Sequence, residues 1–110
     1  MQSFKIGDDW CDLFLRDLER RLSTIENAIT FLERDLNDTQ SVQRIRAELH
    51  NIKGTGTPFG VPAATALARE LEDYLSSTER VRGRDLQRLR RGIADFRDIL
   101  GKHRPRSTSP

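Results

Sequence analysis

His50 is one of two histidines in a chain of 110 residues, and Lys53 and Gly54 follow it by three and four positions. A free imidazole titrates near pH 6.5, so at neutral pH most of it carries a bare ring nitrogen. That nitrogen is a nucleophile for phosphorus, provided the approach is in line and unobstructed. On a helix, a side chain at i+4 leans back toward the N-terminus and over the residue at i. Glycine at position 54 leaves that space empty. Lys53 leans the same way and brings an ammonium near the ring, where it can offset charge on a bound phosphoryl group. Taken singly these residues mean little: an exposed histidine is usually a surface residue, a lone lysine a solvated charge, and glycines such as Gly54 and Gly56 can serve close helix packing. Their joint spacing is what points to phosphoryl chemistry.

Four periodic segments position them. Residues 8–36 place Trp10, Phe14, Leu18, Leu22, Ile25, Ile29, Leu32 and Leu36 at intervals of three and four, one helical face. Gly7-Asp8-Asp9 supplies a start with acids near the positive helix end, and Asn37-Asp38-Thr39 reads as a stop followed by a new N-cap. Residues 40–57 line up Val42, Ile45, Leu49, Ile52 and Gly56, with Gly54, Gly56 and Pro58 as helix-breaking types; an interior glycine costs about 1 kcal/mol relative to alanine. Pro62 suits the first turn of a third helix over residues 61–77, whose apolar side is Ala64, Leu67, Ala68, Leu71, Tyr74 and Leu75. Residues 83–101 carry Leu86, Leu89, Ile93, Phe96 and Leu100, with Gly101 as a C-terminal cap. No segment alternates with period two. The spacing predicts an all-α fold, an antiparallel four-helix bundle over residues 1–101, followed by a basic, polar, disordered tail over residues 102–110.

At 100° per residue, His50 lies roughly 130° from the middle of the apolar cluster of the second helix and faces solvent. Gln43, Arg46, Lys53, Gly54 and Thr57 share its general side.

Composition narrows the function. Hydrophobic and charged residues make up 35% and 33% of the chain, with a net charge of +2, a mixture suited to thin apolar stripes and solvated outer faces. Basic and acidic residues are interleaved, so the arginines at 84, 88, 90, 91 and 97 and the basic tail form no concentrated nucleic-acid footprint. One cysteine, Cys11, permits no internal disulfide and reads as a small hydrophobe. No run approaches the roughly 20 apolar residues that span a bilayer, and the start has no signal-peptide core; the expectation is a cytoplasmic protein. His50 and His103 are too few for a metal site, and no nucleophile is paired with a base for hydrolysis.

The run His50-Asn51-Ile52-Lys53-Gly54-Thr55-Gly56-Thr57-Pro58-Phe59-Gly60 resembles the histidine-containing phosphotransfer (HPt) family: histidine, apolar at +2, lysine at +3, glycine at +4, a small hydroxyl residue at +5, a small residue at +6, apolar at +9 and glycine at +10, with an apolar-periodic helix through Leu71-Glu72 afterwards. The resemblance implies a four-helix bundle with His50 exposed midway along the second helix and phosphorylated reversibly at Nε2. It implies Lys53 as charge partner, Gly54 as clearance and Gly60 as a turn glycine. The implied partner is a response-regulator receiver domain, whose acidic pocket, magnesium ion and aspartate perform the exchange, with a hybrid sensor kinase as a further candidate; this chain needs no cofactor of its own. Gln43, Arg46 and Thr57 lie on the implied docking side but match no sharp family motif. Gly56 and Pro58 break helices more strongly than the alanine-rich run typical of the family, so the second helix can end early. No glycine-loop motif for ATP is present, so the implied role is a relay and not a kinase; because a bundle of this kind can close its core alone, the expectation is a monomer. The alternative is a helical adaptor or degenerate phosphotransfer domain that docks a partner without carrying phosphate.

Overall fold

The computed structural model describes residues 6–103, with side chains described from Cys11 onward. Four helices make up the fold: α1 (Ile6–Arg34), α2 (Thr39–Thr55), α3 (Pro62–Ser76) and α4 (Gly83–His103). No strand occurs among the described residues. α1 packs on α2 and α4, α3 packs on α2 and α4, and the diagonal pairs make no close approach. Short links between consecutive helices make neighbours antiparallel, so the four close a square around one core.

The core is the set of stripes the periodicity singles out. Leu18, Leu22, Ile25, Ile29 and Leu32 of α1 face Ile45, Leu49 and Ile52 of α2, Ala64, Ala68 and Leu71 of α3, and Leu89, Ile93 and Phe96 of α4, all buried. Each buried side chain of this size contributes about 1.5–3 kcal/mol relative to exposure, which lets helices too short to stand alone hold one another. Cys11 is half-buried and packs against this core. The side chain of Trp10 lies outside the described residues.

The ends of the elements differ from the periodic reading in several places, each with a local cause. α1 stops at Arg34, so Leu36 falls in the turn and is exposed. The N-cap of α2 is Asp38, whose Oδ1 accepts the Ser41 N–H at 3.2 Å and whose Oδ2 accepts the Ser41 hydroxyl at 2.8 Å. α2 ends at Thr55 rather than at 57. Gly56 caps it where the chain packs tightly: a Cβ on Gly56 would run into Thr65 Oγ1 and sit 2.8 Å from the Val61 carbonyl oxygen. Gly60 completes the turn at φ 84°, a conformation that favours glycine, and Pro62 opens α3.

α4 carries on through Gly101 to His103, so Gly101 is not a C-terminal cap, and Lys102 and His103 belong to the helix and not to a tail. The Lys102 ammonium in the last turn suits the negative end of the helix dipole, and His103 Nδ1 lies 3.1 Å from the Ile99 carbonyl oxygen. Residues 104–110, the rest of the expected tail, lie outside the described residues.

Two contacts draw α3 and α4 together. Gly92 lets α4 approach Leu71, whose Cδ1 would be 2.5 Å from any Cβ there. Asp85, buried, accepts hydrogen bonds from the Tyr74 hydroxyl and from the Arg82 N–H, the latter at 2.8 Å. Tyr74, placed on the apolar side by periodicity, is half-buried with its hydroxyl committed to this bond, and the Asp85 carboxylate pushes the phenol's ionisation above its ordinary range. Arg88, Arg90 and Arg97 of α4 pair with Glu70, Glu33 and Glu26, which spends much of that helix's positive charge within the bundle. Among the described residues no helix is long and apolar enough to cross a membrane.

Candidate functional site

The exposed face of α2 follows from its buried one. With Ile45, Leu49 and Ile52 committed to the core, residues 43, 46, 50 and 54 are turned outward by helical geometry, and all four are exposed. His50 stands midway along this face with 68% of its side chain accessible.

Across from it lies α3, antiparallel to α2, so stepping up one helix by a turn means stepping down the other. His50 meets Glu72, and Arg46, one turn earlier, meets Ser76, one turn later. His50 Nδ1 lies 3.3 Å from Glu72 Oε2, and Lys53 Nζ lies 2.7 Å from Glu72 Oε1. Arg46 donates to Ser76 Oγ at 3.2 Å. One carboxylate therefore serves two neighbours on the opposite helix.

Glu72 is well placed for that. Its side chain is 16% exposed, beside the core residue Leu71, and its Oε1 is fully shielded from solvent. At 2.7 Å the Lys53 ammonium meets the carboxylate's charge directly. Lys53 first, and His50 to a lesser degree, hold the Glu72 carboxyl below its ordinary value of 4.5, outweighing the opposing effect of burial. The carboxylate is therefore charged throughout the neutral range.

The space around the ring is open. A Cβ built on Gly54 would meet nothing within 4 Å, so nothing in the fold itself requires glycine there. A shallow hollow is lined by Gln43, Arg46, Ala47, His50, Asn51 and Glu72. Gln43 and Arg46 thus share a surface with His50. Thr57, exposed just past the cap of α2, does not line this hollow, and its N–H donates to Thr65 Oγ1 at 2.9 Å. Lys53 reaches Glu72, the same carboxylate that faces the ring of His50.

Glu72 is the site residue that periodicity and spacing do not single out. A weak signal is present, since an acid adjoining a core leucine on a helix is positioned at the edge of a packed face. Which helix that edge meets is a property of the bundle. Among the described residues no group of three or more histidine, cysteine, aspartate or glutamate side chains could hold a metal ion.

An imidazole so placed can act as a nucleophile or accept a group at the nitrogen turned away from Glu72. Comparison with known proteins bears on which. The family model described as the Hpt domain matches residues 9–99. The Chemotaxis protein CheA of Halobacterium salinarum is 31% identical over 68 residues, which are 62% of this chain and 10% of that protein. The chain thus matches about a tenth of that relative's length. No solved structure matches it.

Proposed function

This chain belongs to the Hpt domain family, whose role is histidine phosphotransfer in phosphorelays, and on that premise we propose that it accepts and donates a phosphoryl group at Nε2 of His50, in exchange with the aspartate of a receiver domain. The observation that carries the reading is the exposed ring of His50 with Nδ1 turned to the Glu72 carboxylate.

The chemistry balances without a further proton acceptor. Glu72 favours a proton on Nδ1, which leaves the lone pair on Nε2. Nε2 attacks the phosphorus of an aspartyl phosphate; the N–P bond forms, the P–O bond to the aspartyl carboxylate breaks, and that carboxylate departs with the electron pair. The ring keeps its Nδ1 proton and becomes cationic, and Glu72 faces the new positive charge. The reverse step returns a neutral ring with the same proton in place. Lys53 keeps Glu72 ionised, and Gly54 keeps the approach to Nε2 clear. Magnesium belongs to the receiver in this reading. Gln43 and Arg46 form part of the docking surface.

The test is transfer of labelled phosphoryl from a phosphorylated receiver panel to this protein and to His50→Gln. Acid-labile, alkali-stable label on the first and none on the second supports the reading. No label on either, with binding to a receiver retained, would instead favour a docking adaptor.

A further inference from the structure

Lys53 is committed before any phosphate arrives. Its ammonium sits 2.7 Å from Glu72, and that carboxylate also faces His50. A phosphoryl group brings about two negative charges. The ring's own new positive charge offsets one of them, and Glu72 and Lys53 already offset each other. One negative charge is left without a fixed partner.

Arg46 is the cation positioned to meet it. It stands one turn before His50 on the same face of α2, where side chains four apart are neighbours, and it lines the same hollow as His50 and Glu72. Among the described residues it makes no ion pair. Its contact is a single donation at 3.2 Å to the exposed hydroxyl of Ser76. At 3.2 Å the guanidinium meets a neutral hydroxyl at the surface, where no opposite charge answers its own. A guanidinium fork on phosphate oxygens pairs opposite charges through two parallel bonds, so the exchange of partners is downhill. Ser76 meanwhile holds the side chain against α3, off the approach path to the ring.

We propose that Arg46 leaves Ser76 and pairs with the phosphoryl oxygens once His50 is phosphorylated, an assignment that rests on the reading of His50 as the phosphorylated residue. Arg46 then acts in the phosphorylated state alone, as a phosphoryl partner, with Ser76 as its resting position.

The experiment phosphorylates the full chain with phosphoramidate, a small donor that needs no receiver, and follows the phosphohistidine by phosphorus NMR across pH. Wild type, Arg46→Ala, Arg46→Lys and Ser76→Ala are compared. The groups facing the phosphoryl group besides Arg46 are Lys53 of α2 and Glu72 of α3, and all four proteins retain both. In Arg46→Ala the midpoint of the second phosphoryl ionisation should rise by about one pH unit, because a nearby cation favours the dianion. Arg46→Lys should recover part of the shift, and Ser76→Ala should match wild type or fall slightly below it. Equal midpoints in wild type and Arg46→Ala would overturn the proposal, as would a rise in Ser76→Ala equal to that in Arg46→Ala. Wild-type protein that takes no label at His50 would overturn the phosphohistidine reading itself, and the role of Arg46 with it.

Discussion

His50 Nδ1 and Glu72 Oε2 are 3.3 Å apart, although 22 positions separate the two residues in the chain. The contact joins the outward face of α2 to the edge of α3, and it decides which ring nitrogen points inward. Because Glu72 also receives Lys53 at 2.7 Å, its charge is held in place independently of the ring.

We expect Glu72→Gln to slow phosphorylation of His50 by about ten- to a hundredfold, the kinetic equivalent of the roughly 1.5–3 kcal/mol of an interaction with a charged group. The isosteric amide keeps the packing but loses the charge that faces the cationic ring. Rates of labelling by phosphoramidate, with circular dichroism to verify the fold, make the check. A wild-type rate would remove Glu72 from the mechanism.

The acid side of the stability profile should report the same carboxylate. Glu72 titrates below its ordinary value of 4.5 in the folded protein, so its contribution is present in full above that value and fades as pH falls through the folded one. Melting temperature followed from neutral pH down through the carboxylate range should therefore drop more steeply in wild type than in Glu72→Gln. Parallel curves would show that the ion pair with Lys53 adds nothing to stability.

Gly54 separates clearance from folding. Since a Cβ there meets nothing within 4 Å, Gly54→Ala should hold or raise stability, by up to about 1 kcal/mol from helix propensity. Gly54→Leu should stay folded yet lose most transfer from a phosphorylated receiver, because its side chain leans back over His50, while labelling by phosphoramidate falls less. Receiver transfer by Gly54→Leu at the wild-type rate would refute the clearance role.

Gly56→Ala should behave in the opposite way. Its Cβ would press on the Val61 carbonyl at 2.8 Å and the Thr65 nitrogen at 2.9 Å, backbone atoms that cannot yield cheaply. We expect a loss of about 1–3 kcal/mol in denaturant unfolding, the usual cost of overpacking. Asp85→Ala should cost a similar amount, since the Tyr74 hydroxyl and Arg82 N–H lose their acceptor. An unchanged midpoint in either variant would contradict the packing described for that turn.

Much of this architecture is written in local sequence. Leu18, Leu22, Ile25, Ile29 and Leu32 repeat with the period of a helix, and that period alone marks them for burial. Ile45, Leu49 and Ile52 do the same for α2, and once they point inward His50 must point out. Pro62 and Gly60 announce their turn because ring closure and a missing Cβ restrict or free a single residue's backbone. These inferences need only the geometry of one helix or one turn.

What lay beyond them depended on which faces meet. Glu72 finds His50 and Lys53, and Ser76 finds Arg46, because α3 runs antiparallel to α2 at one rotation and one offset along its axis. Neither quantity is encoded in any short stretch; the packing of all four stripes into a common core sets both. Gly92 against Leu71 and Asp85 beneath Tyr74 are likewise properties of a helix pair. The end of α2 at Thr55, with Gly56 packed closely against Val61 and Thr65 at the start of α3, is another contact between helices. The sequence by itself determined the helices, their buried stripes and the outward histidine, since side-chain direction on a helix is local. Only the tertiary structure decided which charges surround that histidine, since they come from a second helix whose placement is a collective result of packing.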